Sequence, residues 1–175
     1  MGLQRFTVNG LRVAHQHAES PLSAIVLTIR AGARFDGDCP GVAHMAEHML
    51  FQGTVTQDQL ALNHRAAELG GEHNADTGYE TISLMMDVFN EDVPEALALL
   101  ADQFHHSRVE PARFRKERRV VIDEIRSRMD DPLEQAYLCA WTRFFTGALA
   151  RPICGTLRSV RAMQATDVTA FLHTH

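Results

Sequence analysis

Gly41-Val42-Ala43-His44-Met45-Ala46-Glu47-His48-Met49-Leu50-Phe51 carries two histidines and a glutamate at a spacing that could do chemistry. On a helix, His44 and His48 stand about 40° apart, and Glu47 lies on the other side of His44 within the same ~100° sector. The other residues of the stretch are apolar, and a helix that is apolar nearly all round is a buried one. Burying two imidazoles and a carboxylate is costly unless something pairs with them. A zinc ion answers that need, because imidazoles at i and i+4 can both point at one metal and zinc accepts nitrogen and oxygen donors. Glu47 then stands where it could take a proton from metal-bound water. The order His-x-x-Glu-His reverses the more familiar His-Glu-x-x-His. Five residues alone fit equally well a helix whose histidines and glutamate pair with one another, so the metal reading depends on a third ligand elsewhere.

The long helix predicted from about Pro111 to Met129 offers one. Phe114, Val121, Ile122, Ile125 and Met129 form its apolar sector, while Arg115, Lys116, Arg119, Asp123 and Arg126 lie opposite. Glu117 and Glu124 are seven residues apart, nearly in line along the edge of the apolar sector. Alone they read as salt-bridged acids on an amphipathic helix. Beside His44 and His48, Glu124 becomes the candidate third ligand.

The elements that must position these residues follow from the rest of the pattern. Arg5–Val8 and Leu11–His15 flank Asn9-Gly10, which predicts a hairpin. Ser23–Arg30 is a β-branched run and reads as a sheet strand. A Gly/Asp-rich loop over 31–40 leads into the histidine helix. Further helices are predicted over 56–69, 93–104 and 160–172, and strands over 73–77 and 80–87. Asp130-Asp131-Pro132 reads as a helix stop. His73 reads as a cleft-lining or exposed residue, His105-His106 as a solvated helix end, and Met45, Met49, Met85 and Met86 as core filler.

A chain of 175 residues with 45% hydrophobic residues suits one domain with a real core. The net charge of −5 is too mild to point to nucleic acid or an acidic membrane surface. Cys39, Cys139 and Cys154 have no paired spacing and fit reduced thiols. No run of about 18 apolar residues predicts a membrane span. The N-terminal residues lack a signal-peptide shape, so the expectation from sequence is a cytoplasmic protein.

Three segments, GVAHMAEHMLFQGT, LGGEHNADTGYETIS and FRKERRVVIDEIRSRMDDP, occur in an order and at separations that resemble the pitrilysin/insulinase family of zinc peptidases. The resemblance extends over roughly residues 5–172, and Arg151-Pro152-Ile153-Cys154-Gly155-Thr156 also resembles the family segment that follows the long helix. It implies one zinc per chain, held by His44, His48 and Glu124, with Glu47 as the general base acting on water at the open fourth position. It implies that Glu117 orients a ligand rather than binding metal directly. It places Asn74 and Ala75 on an edge strand where substrate backbone adds as a further strand, with Thr77 supporting that edge. The implied fold is a two-layer α+β unit with a mostly antiparallel sheet and helices on one face. Set against the family, residues 1–175 form a single zinc-bearing unit without its last strands and without the second, substrate-contacting unit. The expected function is therefore a zinc-dependent endopeptidase, or the catalytic half of one, that needs a second homologous unit or subunit. The alternative is a non-catalytic assembly or peptide-binding subunit.

Overall fold

In the computed structural model, which describes residues 2–175, Asn9 and Gly10 turn the chain with φ of 49° and 87°. Positive φ at both central residues is the type I′ geometry that suits a two-residue hairpin. The turn joins β1 (Leu3–Val8) to β2 (Leu11–Gln16), with Phe6 opposite Val13 and Val8 opposite Leu11. The predicted hairpin is present, but it forms a sheet of its own.

The main sheet contains β3 (Leu22–Ile29), β4 (His73–Thr77) and β5 (Ile82–Phe89), ordered β3-β5-β4 with both pairings antiparallel. Alternation sets its faces. Ile82, Leu84, Met86 and Val88 of β5 are buried, while Ser83, Met85 and Asp87 point the other way. The buried face is covered by α1 (Val42–Leu50) and α3 (Val93–His106). On α1, Met45, Met49 and Leu50 are fully buried, each stabilising the fold by about 1.5–3 kcal/mol relative to exposure. The result is the expected α+β arrangement: an antiparallel sheet with helices packed on one face.

The remaining helices are α2 (Gln59–Glu68), α4 (Pro111–Asp130), α5 (Pro132–Phe144), α6 (Leu157–Ala162) and α7 (Ala165–Thr174). Each departs from the sequence reading in some respect. α2 starts at Gln59 rather than near Thr56, because Asp58 caps it through Ala61 N–H at 2.9 Å. The preceding residues are instead gathered by Asp102 of α3, whose carboxylate accepts from Thr54, Thr56 and Gln57. Asp130-Asp131-Pro132 does end α4, but it also starts a helix that the pattern did not predict: the Asp131 carboxylate caps α5 through the N–H groups of Leu133 and Glu134. The expected helix over 160–172 is two helices, parted at Met163-Gln164, with Gln164 and Asp167 capping each other's backbone. Met129, expected in the apolar sector of α4, is exposed because α4 buries only Phe114, Glu117, Val121 and Ile125. Among the described residues no helix is long and apolar enough to cross a membrane.

The start of α1 is built with unusual care. Gly41 and Gly155 both have positive φ, 93° and 73°. A Cβ on Gly41 would lie 2.7 Å from the Cys154 carbonyl oxygen, and one on Gly155 would lie 2.4 Å from the Pro40 carbonyl oxygen. The 154–156 segment can press against the helix start only because both positions lack side chains. Asp36, only 4% exposed, completes the cap: its carboxylate accepts from Gly41 N–H at 2.7 Å and Ala43 N–H at 3.0 Å. Removing it with Asp36→Ala strands both donors and is expected to cost about 1–2 kcal/mol, read as a lowered urea midpoint.

Burial outweighs those two N–H groups and the nearby Arg151 charge, so the Asp36 carboxyl is raised to about 6 from its usual 3.8. Between those values the folded protein holds a proton that the unfolded chain releases. The contribution of Asp36 to stability is therefore greatest below about pH 4 and falls as pH rises toward 6. Asp36→Asn, which cannot ionise, is expected to flatten this part of the stability–pH curve in urea titrations between pH 4 and 7.

Candidate metal centre

α1 and α4 pack side by side and bring the predicted groups together. The Nε2 atoms of His44 and His48 lie 3.6 and 3.7 Å from Oε2 of Glu124. One ligand atom from each of the three residues can be chosen so that all lie within 4.8 Å of one another, making this the potential metal group among the described residues. Tetrahedral zinc with bonds of about 2.0–2.1 Å sets its ligand atoms about 3.4 Å apart, close to the two nitrogen–oxygen spacings.

The partners around this group define what each side chain can offer. Glu117, 7% exposed, places Oε2 3.2 Å from Nδ1 of His48. With the Nδ1 proton donated to Glu117, the Nε2 lone pair faces His44 and Glu124. Glu117 thus stands behind the His48 ring. Glu124 is engaged on its far oxygen: Arg128 Nη2 donates to Oε1 at 2.8 Å. His44 is buried, and its Nδ1 has no hydrogen-bond partner.

Burial holds His44 well below the usual histidine range, at about 4, so its imidazole is neutral near pH 7. The neighbouring His48 imidazole, 3.7 Å away, and the Arg128 guanidinium hold the Glu124 carboxyl down at about 2 despite its partial burial. Burial works to lower the His48 pKa, but the carboxylates of Glu124 and Glu117 beside the ring outweigh it and raise the value. With both imidazoles neutral, their Nε2 lone pairs and the ionised Glu124 carboxylate converge on one point. Three electron-rich atoms so arranged repel unless a cation or proton lies between them, and the donor set of two imidazoles and a carboxylate is one that zinc accepts.

Glu47 is not part of the metal group. Its Oε2 accepts a hydrogen bond from the Thr77 hydroxyl at the end of β4. Burial raises its pKa, against the lowering effects of Thr77 and His48. The turn after Thr77 is itself held: Ala33 and Arg34 N–H groups donate to the Gly78 and Tyr79 carbonyls, and Arg34 pairs with Glu80. Gly32 allows this approach, since a Cβ there would lie 2.4 Å from the Tyr79 carbonyl carbon.

Asn74 and Ala75 lie on β4, which pairs with β5 along one side and with no strand along the other among the described residues. Asn74 is exposed, and its side-chain oxygen accepts from the N–H of Ala75 at 2.9 Å. Ala75 is half-buried against the core. His73 is half-buried rather than exposed. Its Nε2 meets Gln103 Oε1 at 2.8 Å, and its ring packs on Phe51. Gln103, 0% exposed, also donates to the Leu50 carbonyl at 3.2 Å, tying β4 to the end of α1 through α3. His106 pairs with Asp102 at the exposed end of α3, and Cys39 lies beside Asp167. Neither joins the metal group.

Sequence reasoning missed Asp36, Gln103 and Arg128. Arg128 alone had a readable signal, being four residues after Glu124 on the same helix. Asp36 and Gln103 meet their partners only through packing.

This fold is that of a peptidase family. The family model for insulinase, peptidase family M16, matches residues 12–156, and the chain belongs to that family. It is 32% identical over 171 residues to the mitochondrial-processing peptidase subunit beta of Rattus norvegicus, covering 95% of this chain and 35% of that protein. It is 35% identical over 176 residues to an uncharacterized zinc protease of Mycobacterium leprae, covering 97% of this chain and 39% of that one. The chain therefore spans between a third and two fifths of the length of these relatives. A crystal structure described as a peptidase M16 inactive domain from Pseudomonas fluorescens superposes with a TM-score of 0.89 at 20% identity, over 98% of this chain and 43% of that one, a likeness of fold.

Proposed function

We propose that this chain is the zinc-bearing catalytic unit of an M16 peptidase that hydrolyses peptide bonds in peptides or unfolded segments. The observation that carries the reading is the convergence of His44 Nε2, His48 Nε2 and Glu124 Oε2 on one point, with Glu47 one residue before His48 on the same helix. His44, His48 and Glu124 would hold one zinc ion. Zinc, when bound, supplies a Lewis acid that lowers the pKa of water and stabilises negative charge developing on a peptide oxygen.

The chain's own residues do the rest. Glu47 is the general base, taking a proton from the attacking water onto its carboxylate. Thr77 fixes the rotamer of that carboxylate through Oε2, and the raised pKa makes it a stronger base than an exposed glutamate. Glu117 keeps the His48 proton on Nδ1. The free side of β4 at Asn74 and Ala75 offers backbone groups to an extended peptide. A second homologous unit or subunit would close over that peptide, in keeping with a similar protein named as a subunit of a processing peptidase.

The second reading is a non-catalytic subunit that uses the fold to bind a partner or peptide. A neighbour in fold described as an inactive domain favours it. The three convergent ligands and Glu47 weigh against it here, since a purely binding unit has no use for all four.

Cleavage of a mixed set of unstructured peptides by the zinc-loaded chain, followed by mass spectrometry, tests the proposal. New fragments that disappear with chelator and return with zinc are the expected result. Zinc binding without fragments would favour the binding subunit. Thr77→Val is expected to keep zinc and slow cleavage about tenfold or more, because an untethered base is lost from its productive geometry part of the time. Single-turnover rates with zinc content measured alongside check this.

A further inference from the structure

The two oxygens of Glu124 are used differently. Oε2 faces the Nε2 atoms of His44 and His48 at 3.6 and 3.7 Å, and Oε1 accepts from Arg128 Nη2 at 2.8 Å. A carboxylate can present one oxygen or both to a cation, and a guanidinium N–H fixed on one of them competes with the metal for that oxygen. We propose that Arg128 is a positioning residue that makes Glu124 a one-oxygen ligand and so preserves an open coordination position. The proposal rests on the metal-centre reading above.

The placement of Arg128 supports this role. It follows Glu124 by four residues in the last turn of α4, where a glutamate ahead of a basic residue is the favoured order and a cation complements the helix end. Its backbone is held in turn by α5: Gln135 Nε2 donates to the Arg128 carbonyl at 2.9 Å. A half-exposed ion pair at this spacing adds little to stability. Loss of the side chain therefore leaves the fold intact and alters mainly what Glu124 can present.

Affinity alone is a poor readout, because two effects oppose each other. Removing Arg128 loosens the ligand, which weakens binding. It also removes a positive charge near the metal, which strengthens binding. Coordination number separates them. Cobalt(II) in place of zinc gives strong visible absorption with four ligands and weaker absorption with more.

The experiment compares the cobalt-loaded chain with Arg128→Met, which keeps the aliphatic stem, and Arg128→Lys, which restores one N–H donor. The expected result is a several-fold loss of visible absorption in Arg128→Met, as Oε1 turns to the metal, and recovery of most of it in Arg128→Lys. Thermal melts of the metal-stripped proteins should coincide. An unchanged spectrum in Arg128→Met overturns the proposal and makes the pair an ordinary surface contact. If the unsubstituted chain binds neither cobalt nor zinc, the metal-centre reading fails, and this proposal fails with it.

Discussion

Replacing His44 by Ala is expected to abolish zinc binding, with a loss far beyond the about 10–100-fold that follows from removing a group behind a ligand. His44 is the cleanest of the three proposed ligands to delete. Its imidazole is held neutral by burial, and its Nδ1 bonds to nothing, so the change strands no charge. His48→Ala would instead leave the buried Glu117 without its partner, and Glu124→Ala would free Arg128. The cost of His44→Ala to the fold is a small cavity on α1, about 1–2 kcal/mol. Zinc should raise the melting temperature of the parent chain, since a ligand that binds only the folded state stabilises it. That shift should vanish in His44→Ala. Persistence of tight, stoichiometric zinc binding by calorimetry would show that the three-residue site is not where the metal sits. Glu117→Gln provides the scale: it leaves all three ligands and should cost only the smaller factor.

Glu47→Gln is expected to do the opposite, keeping zinc and removing turnover. Gln is close to isosteric with Glu and its amide oxygen can still accept from the Thr77 hydroxyl, so the side chain should stay in place. It cannot take up a proton. General-base catalysis contributes about 10²–10⁴-fold, and the residual rate should lie lower than the parent by at least that much. The measurement is single-turnover cleavage of a peptide found in the mixed-peptide screen, with metal content determined on the same samples. Equal rates for Glu47→Gln and the parent would remove Glu47 from the chemistry. Loss of zinc in Glu47→Gln would instead mark Glu47 as a ligand. Taken together, the two substitutions separate metal binding from proton transfer.

The local elements were legible because their signals are local. The Asn-Gly turn, the alternation in β5 and the apolar stripe of α1 each lie within a few residues and depend on backbone geometry alone. Glu117 and Glu124 show where such signals end. Helical periodicity puts them in line and treats them alike. In the fold, Glu117 reaches Nδ1 of His48, whereas Glu124 reaches the Nε2 atoms of both histidines. The family resemblance assigned them different roles, and the packing of α4 across α1 supplies the physical reason. α5 escaped notice because Pro132 suits both a helix stop and a helix start.

By itself the sequence determined that one helix carries His44, Glu47 and His48 on a shared face, because 3.6 residues per turn leaves no other arrangement. It also determined that two acids stand in line on a second helix. Tertiary structure decided which acid meets which nitrogen, that Thr77 holds Glu47, that Asp36 caps α1, and that Gln103 ties His73 to Leu50. Glu47–Thr77 and His73–Gln103 join residues 30 apart in sequence, and His48–Glu117 joins residues 69 apart. No backbone periodicity reaches across such separations. They form only when the apolar faces of α1, α3, α4 and the sheet close on one core and bring these polar groups to partners that burial favours.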